Sequence, residues 1–225
     1  LKYYLIALCI SPLFSAEGGD TLTIYPITFS TPSPEGWNAQ YKTTAHFPNT
    51  GGQWAKILMV QTLKCDSLTA GDKYPCGEWD YIWSTFVDVP KGDSTKQFCL
   101  GSFVTPYGKR LEMGGASGWE WIYDISEYAP ILKGDLNLRV GNNQELLDLK
   151  FHFIKGKPSR NVISVENIYS YADYKYEHLA DDSLLISTDI ILNPIASAYS
   201  IKSIVSGHGH AGPRNCCEWD SKTHT

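Results

Sequence analysis

The sequence predicts an all-β protein built as an antiparallel sandwich or jelly roll. Three observations carry that prediction. Short segments are rich in β-branched and aromatic residues, many alternate with a period of two, and Gly, Pro, Asn and Asp clusters separate them. No segment sustains an apolar period of 3.6 residues, and SEYAPILKG supplies at most one helical turn before Pro130 cuts it. Aromatic residues are abundant, with 14 Tyr and 7 Trp. Such rings fill sheet cores, and on a surface they stack on sugar faces.

In chain order, TLTIYPITFS is the first expected strand and ends at the turn-forming TPSPEG. WAKILMVQTLK follows PNTGG, and DSLTAGDKYP separates it from DYIWSTFVDV. PKGDS then leads to KQFCLGSFV, and GGASG to WEWIYDI. DLNLRV and LLDLKFHFI flank GNNQE. Beyond the polar GKPSR (Gly156 to Arg160) come NVISVENIY, LLISTDIIL and AYSIKSIVS, which are also expected as strands. GKPSR is therefore the expected boundary between a domain over 21–156 and a second over 157–225. The second is too short for a sandwich of the first one's size and is expected to be partial.

The opening LKYYLIALCISPLFSAEGG has the pattern of a secretory signal peptide over 1–16: Lys2, an apolar run from Tyr3 to Phe14, and small residues at Ser15-Ala16. At about a dozen residues the run is too short to span a bilayer, which takes roughly 20. The expectation is a secreted or periplasmic bacterial protein with no membrane span. Once Cys9 leaves with the signal, Cys65, Cys76, Cys99, Cys216 and Cys217 remain, and an oxidising compartment favours pairing them. Cys65 and Cys76 flank one loop and are the easiest pair to propose. The odd count, the short second half and the abrupt THT end together predict an incomplete chain. A net charge of −5 with no basic run argues against a nucleic-acid partner.

The motif C-x-E-W-D occurs twice, as CGEWD (Cys76 to Asp80) and CCEWD (Cys216 to Asp220). If CGEWD runs into the strand that follows, Glu78 and Asp80 share one face and Trp79 takes the other. The plain reading is a buried Trp between solvated acids. The sharper reading brings one acid from each half into a cleft, where paired carboxylates titrate apart and serve hydrolysis through an activated water. Around the second copy, SGHGHAGPRNCCEWDSKTH places His208, His210 and His224 near Cys216, Cys217 and Glu218. H-x-H on a strand is a spacing that copper and zinc sites use, and it equally suits histidines lining a polar groove. The expectation is a groove without a metal or cofactor.

These residues resemble the peptide:N-glycosidase F family, secreted bacterial amidases that cleave N-glycans from asparagine. The resemblance runs from about Thr43 to Thr225. It rests on Cys65 with CGEWD, GSFVTPYG (Gly101 to Gly108), WIYDISEY…LKGDLNL (Trp121 to Leu138), FHFIKGKP (Phe151 to Pro158) and SGHGHAGPRNCCEWDSKTHT. It implies two antiparallel jelly rolls side by side, the second incomplete here, with the two C-x-E-W-D copies facing one interdomain cleft. It implies Asp80 as the principal catalytic acid and Glu218 as its partner. Glu78, Trp79, Tyr81, His208, His210 and Trp219 would then contact the substrate, an N-linked glycoprotein or glycopeptide, in a monomeric enzyme.

The chain departs from the family pattern at four places. Gly141 stands where the family has a third acid, with Asn142, Asn143 and Glu145 nearby. Tyr81 replaces an arginine, His208 a tryptophan and Asp220 a cysteine. Two further readings stay open on these residues: a secreted glycan- or protein-binding jelly roll without catalysis, and a histidine-metal oxidase on the same architecture.

Overall fold

The computed structural model describes residues 19–206 apart from 37, 50–52, 69–77, 108–113, 143–144, 173, 175 and 180–182. Eight strands lie within it: β1 (Thr21–Ile27), β2 (Tyr41–Phe47), β3 (Trp54–Cys65), β4 (Ile82–Lys91), β5 (Ser94–Val104), β6 (Trp119–Asp124), β7 (Gly134–Val140) and β8 (Glu145–Lys155). β1 pairs with β8, β2 with β7, β3 with β6 and β4 with β5, all antiparallel. This is the pairing of one long ribbon doubled back on itself. Two further pairings, β3 with β8 and β4 with β7, gather the ribbon into sheets ordered β1-β8-β3-β6 and β2-β7-β4-β5. The result is a jelly roll, as the alternating short strands predicted.

Period-two patterning decides which side chains enter. On β8, Glu145, Leu147, Leu149, Phe151 and Phe153 are buried in turn, and the intervening residues are not. Phe47, on β2, meets Phe151 edge-on at 5.2 Å and Phe153 at 6.0 Å, so rings lock the two sheets together, and Trp54 packs on Phe153 at 5.2 Å within one sheet. Each such pair contributes about 0.5–1.5 kcal/mol beyond the area it buries.

β2 was not among the expected strands. Its inward residues Tyr41, Thr43, Ala45 and Phe47 include a threonine and an alanine, which blur the apolar half of the alternation. The strand forms because β7 supplies a seven-residue ladder from Tyr41↔Val140 to Phe47↔Gly134.

NVISVENIY, LLISTDIIL and AYSIKSIVS correct the sequence reading in the other direction. Among the described residues after Lys155 the regular structure is one helical turn, α1 (Tyr176–Leu179), and these three segments form no strand. Alternation gives a segment an apolar face, but a strand also needs a neighbour for its N–H and C=O groups. Among the described residues no strand pairs with these segments, and the Ile186 carbonyl accepts from the Tyr169 hydroxyl instead.

Part of this chain instead crosses the outer face of the β2-β7-β4-β5 sheet. The Tyr171 ring stands edge-on to Phe86 at 4.8 Å, and its hydroxyl lies 3.1 Å from Ser84 Oγ. Asn167 Nδ2 donates to the Gln97 carbonyl at 2.8 Å, and Glu166 ion-pairs with Lys96. These contacts explain why Phe86, on the outward side of its sheet, is only 5% exposed. Among the described residues no helix is long and apolar enough to cross a membrane.

Candidate active site

The β7–β8 connection joins the two sheets at one end of the sandwich. At that same end lie the last residue of β3 (Cys65), the first residues of β4 and β6, and the last of β5. Asp80 is therefore on this rim, as are Tyr41, Trp119, Gly141 and Glu145.

The approach to β4 is bent rather than extended. Glu78, Trp79, Asp80 and Tyr81 precede the strand, which starts at Ile82. The same-face relation of Glu78 and Asp80, which assumed that CGEWD enters the strand directly, does not apply. Trp79 is not buried either: it is 60% exposed, between two half-buried acids. The anchoring comes one residue later. Tyr81 N–H donates to Thr105 Oγ1 at 2.9 Å, and Thr105 N–H donates to the Tyr81 carbonyl at 2.8 Å. This reciprocal pair carries the β4–β5 ladder one step past its end, and Thr105 is itself buried. Asp80 is thus held at the edge of a fixed ladder.

Gly141 follows β7 with φ of 62°, a conformation glycine adopts freely. A Cβ there would lie 2.2 Å from Trp83 Cζ2, because the indole of Trp83 packs flat against this turn. No acid can occupy the position in this chain. Trp83 is fully buried and held by its Nε1–H, which donates to Gln61 Oε1 at 2.9 Å. Thr85 Oγ1 donates to the same oxygen at 2.9 Å.

Glu145 is the titratable group that most distinguishes this rim. It is fully buried, in phase with Leu147 and Leu149, and among the described residues neither carboxyl oxygen finds a hydrogen-bond partner on another residue. Burial pushes its carboxyl up to about 8, with a smaller opposing effect from its own backbone N–H. Glu145 therefore carries its proton at neutral pH. Its backbone carbonyl accepts from Tyr41 Oη at 2.7 Å. The Tyr41 hydroxyl is raised chiefly by burial and further by the charges of Asp66 and Glu145, against a hydrogen bond from Ser33. The sequence carried a usable signal here, since an acid in step with Leu147, Leu149, Phe151 and Phe153 has to point inward.

Asn142 is buried beside Gly141, and Asn143 lies outside the described residues. Glu218, Trp219, His208, His210, His224 and Asp220 lie outside them too, as do Cys76, Cys216 and Cys217. The interdomain cleft and the pairing of the two motif copies rest on those residues. Cys65 is disulfide-bonded and Cys99 is a free thiol. Among the described residues no group of three or more His, Cys, Asp and Glu side chains is arranged to hold a metal ion.

No family model matches the chain. Peptide-N(4)-(N-acetyl-beta-D-glucosaminyl)asparagine amidase F of Elizabethkingia miricola is 24% identical over 185 residues, which cover 76% of this chain and 51% of that protein. The chain is similar to this amidase. It spans about half of the amidase's length. Among solved structures, PNGase F of Flavobacterium meningosepticum, a glycosylasparaginase, aligns with a TM-score of 0.47 and 19% identity. That alignment covers 62% of this chain and 43% of the other. A recombinant peptide: N-glycanase F gives the same values.

Proposed function

We propose that the protein hydrolyses the amide between an N-linked glycan and its asparagine, with Asp80 as the carboxylate that orients or activates the attacking water. Water oxygen adds to the asparagine side-chain carbonyl carbon, the bond to the glycosyl nitrogen breaks, and the nitrogen takes a proton. Aspartate and a glycosylamine result, and the glycosylamine later loses ammonia. Glu218 is the partner acid that places the sugar and handles the proton. Glu78, Trp79, Tyr81, His208, His210 and Trp219 contact the substrate, and no metal or cofactor takes part. The chain is a bacterial protein that acts as a monomer after export.

The similarity to the amidase over 185 residues, with CGEWD inside it, is the observation that carries this reading. The anchoring of Tyr81 to Thr105 supports it, because a general base needs a fixed position at the mouth of a site. The test is release of N-glycan from a denatured glycoprotein by wild type, Asp80→Asn and Glu218→Gln. Both variants should be severely impaired, and an active Asp80→Asn protein would show the site to be misassigned.

A second reading is favoured by one observation. Trp83 fills the space at Gly141, so the third acid implied by the family resemblance has no room. A jelly roll that binds N-glycans without cleaving them fits that loss. Tight glycopeptide binding with no turnover would select it.

A further inference from the structure

We propose that Trp119 is a stacking platform for the flat face of a pyranose, placed on the same rim as Asp80. The proposal rests on the amidase or glycan-binding reading and names a further contact for its ligand.

Trp119 opens β6, the edge strand of its sheet, and pairs with Leu63. Residues two apart on a strand share a side, so Trp119, Trp121 and Tyr123 form one row. The lower two members stack on Phe103, Trp121 at 4.6 Å with an 18° interplanar angle and Tyr123 at 6.2 Å with 25°. Phe103 in turn pairs with Trp83, two residues past Tyr81. Trp119 thus stands one step above the Phe103 layer, and Tyr81 and Asp80 stand one step above it on the facing sheet. Among the described residues no ring of this layer stacks on Trp119, which remains 43% exposed.

The turn before it is shaped to this ring. A Cβ on Gly114 would fall 2.5 Å from Trp119 Cδ1 and 2.8 Å from Nε1. A Cβ on Gly118, whose φ is 73°, would fall 2.4 Å from the Leu63 carbonyl oxygen. Glycine at both positions lets backbone lie flush against the indole and against β3, which braces the ring while leaving part of it open. An exposed aromatic held in this way has already lost the freedom that binding would otherwise have to remove.

The surroundings select a sugar over an apolar protein partner. Among the described residues, Glu78, Asp80, Tyr81 and Ser117 bring hydrogen-bonding groups to this rim, with Trp79 as a second exposed ring and Ile82 and Leu68 as isolated exposed apolar side chains. A protein-docking surface shows a contiguous apolar patch of several hundred Å². Separate rings among hydrogen-bonding groups match a ligand with apolar C–H faces and hydroxyl edges.

The experiment titrates wild type, Trp119→Ala and Trp119→Phe with N,N′-diacetylchitobiose, following tryptophan fluorescence and heat. In parallel, kcat and KM are measured for a chitobiosyl-asparagine peptide. Alanine should weaken binding about tenfold or more, as loss of a stacked ring does, and should raise KM with little change in kcat. Phenylalanine should restore most of the affinity, which a folding defect would not allow. If wild type binds the disaccharide and the alanine variant binds it equally well, the platform is refuted while the glycan reading stands. If wild type neither binds nor cleaves, both fall together.

Discussion

Replacing Glu145 by glutamine removes the one ionisable side chain on the inward face of β8 without changing its size. In the folded protein this carboxyl is pushed up to about 8 from an ordinary 4.5, because burial strips it of water and no other described residue hydrogen-bonds to it. Below pH 4.5 the folded and unfolded chains both hold the proton. Between 4.5 and 8 the folded chain keeps it and the unfolded chain has released it, so stability falls as pH rises. Above 8 both have lost it and the dependence ends. At about 1.4 kcal/mol per pH unit this window amounts to about 5 kcal/mol as a ceiling. Urea unfolding of wild type and Glu145→Gln at intervals from about pH 4 to about pH 9 reads it directly. Subtracting the variant's profile removes the contribution of every other group. The difference should grow in favour of glutamine by at least about 2 kcal/mol across the window and then level off. Parallel profiles would refute the claim that a neutral, enclosed carboxyl sits at this rim.

Three further outcomes follow from the same geometry. Asp80→Asn should reduce glycan release by about 10²-fold or more while leaving the thermal midpoint near wild type, checked by glycopeptide turnover alongside calorimetry. Gly141→Ala should cost about 3 kcal/mol in urea unfolding, since its Cβ would meet Trp83 at 2.2 Å. Gly92→Ala, with φ of 59° but open space around it, should cost only about 1 kcal/mol. The Cys99 thiol, pushed up to about 11 by burial, should resist alkylation at neutral pH in the folded protein and react readily in denaturant.

Seven of the eight sandwich strands were legible because alternation and turn residues coincide in them. β8 is the clearest case, with every second residue from Leu147 to Phe153 apolar and buried. β2 was illegible because Thr43 and Ala45 lower the contrast between its faces, and only the β7 ladder reveals it. In NVISVENIY, LLISTDIIL and AYSIKSIVS the contrast was present and the ladder was not, so pattern alone overpredicted. At the rim, the motif drew attention to Asp80 just ahead of β4, but the bend before Ile82 was not legible, since no local signal distinguishes it from an early strand start. The obstruction at Gly141 was also invisible, because it depends on where the Trp83 indole lies, 58 positions earlier in the chain. Trp119 read as one more sheet aromatic until its turn and its exposure were seen together.

The central claim is that this protein cleaves the amide of a glycosylated asparagine. The most direct measurement is mass spectrometry of a defined N-glycopeptide incubated with the protein in heavy-oxygen water. An amidase must place one solvent oxygen in the new aspartate side chain and leave the released chitobiose core intact. That result, lost in Asp80→Asn, is the one predicted. An intact glycopeptide after prolonged incubation, or cleavage that leaves an N-acetylglucosamine on an unlabelled asparagine, would contradict it.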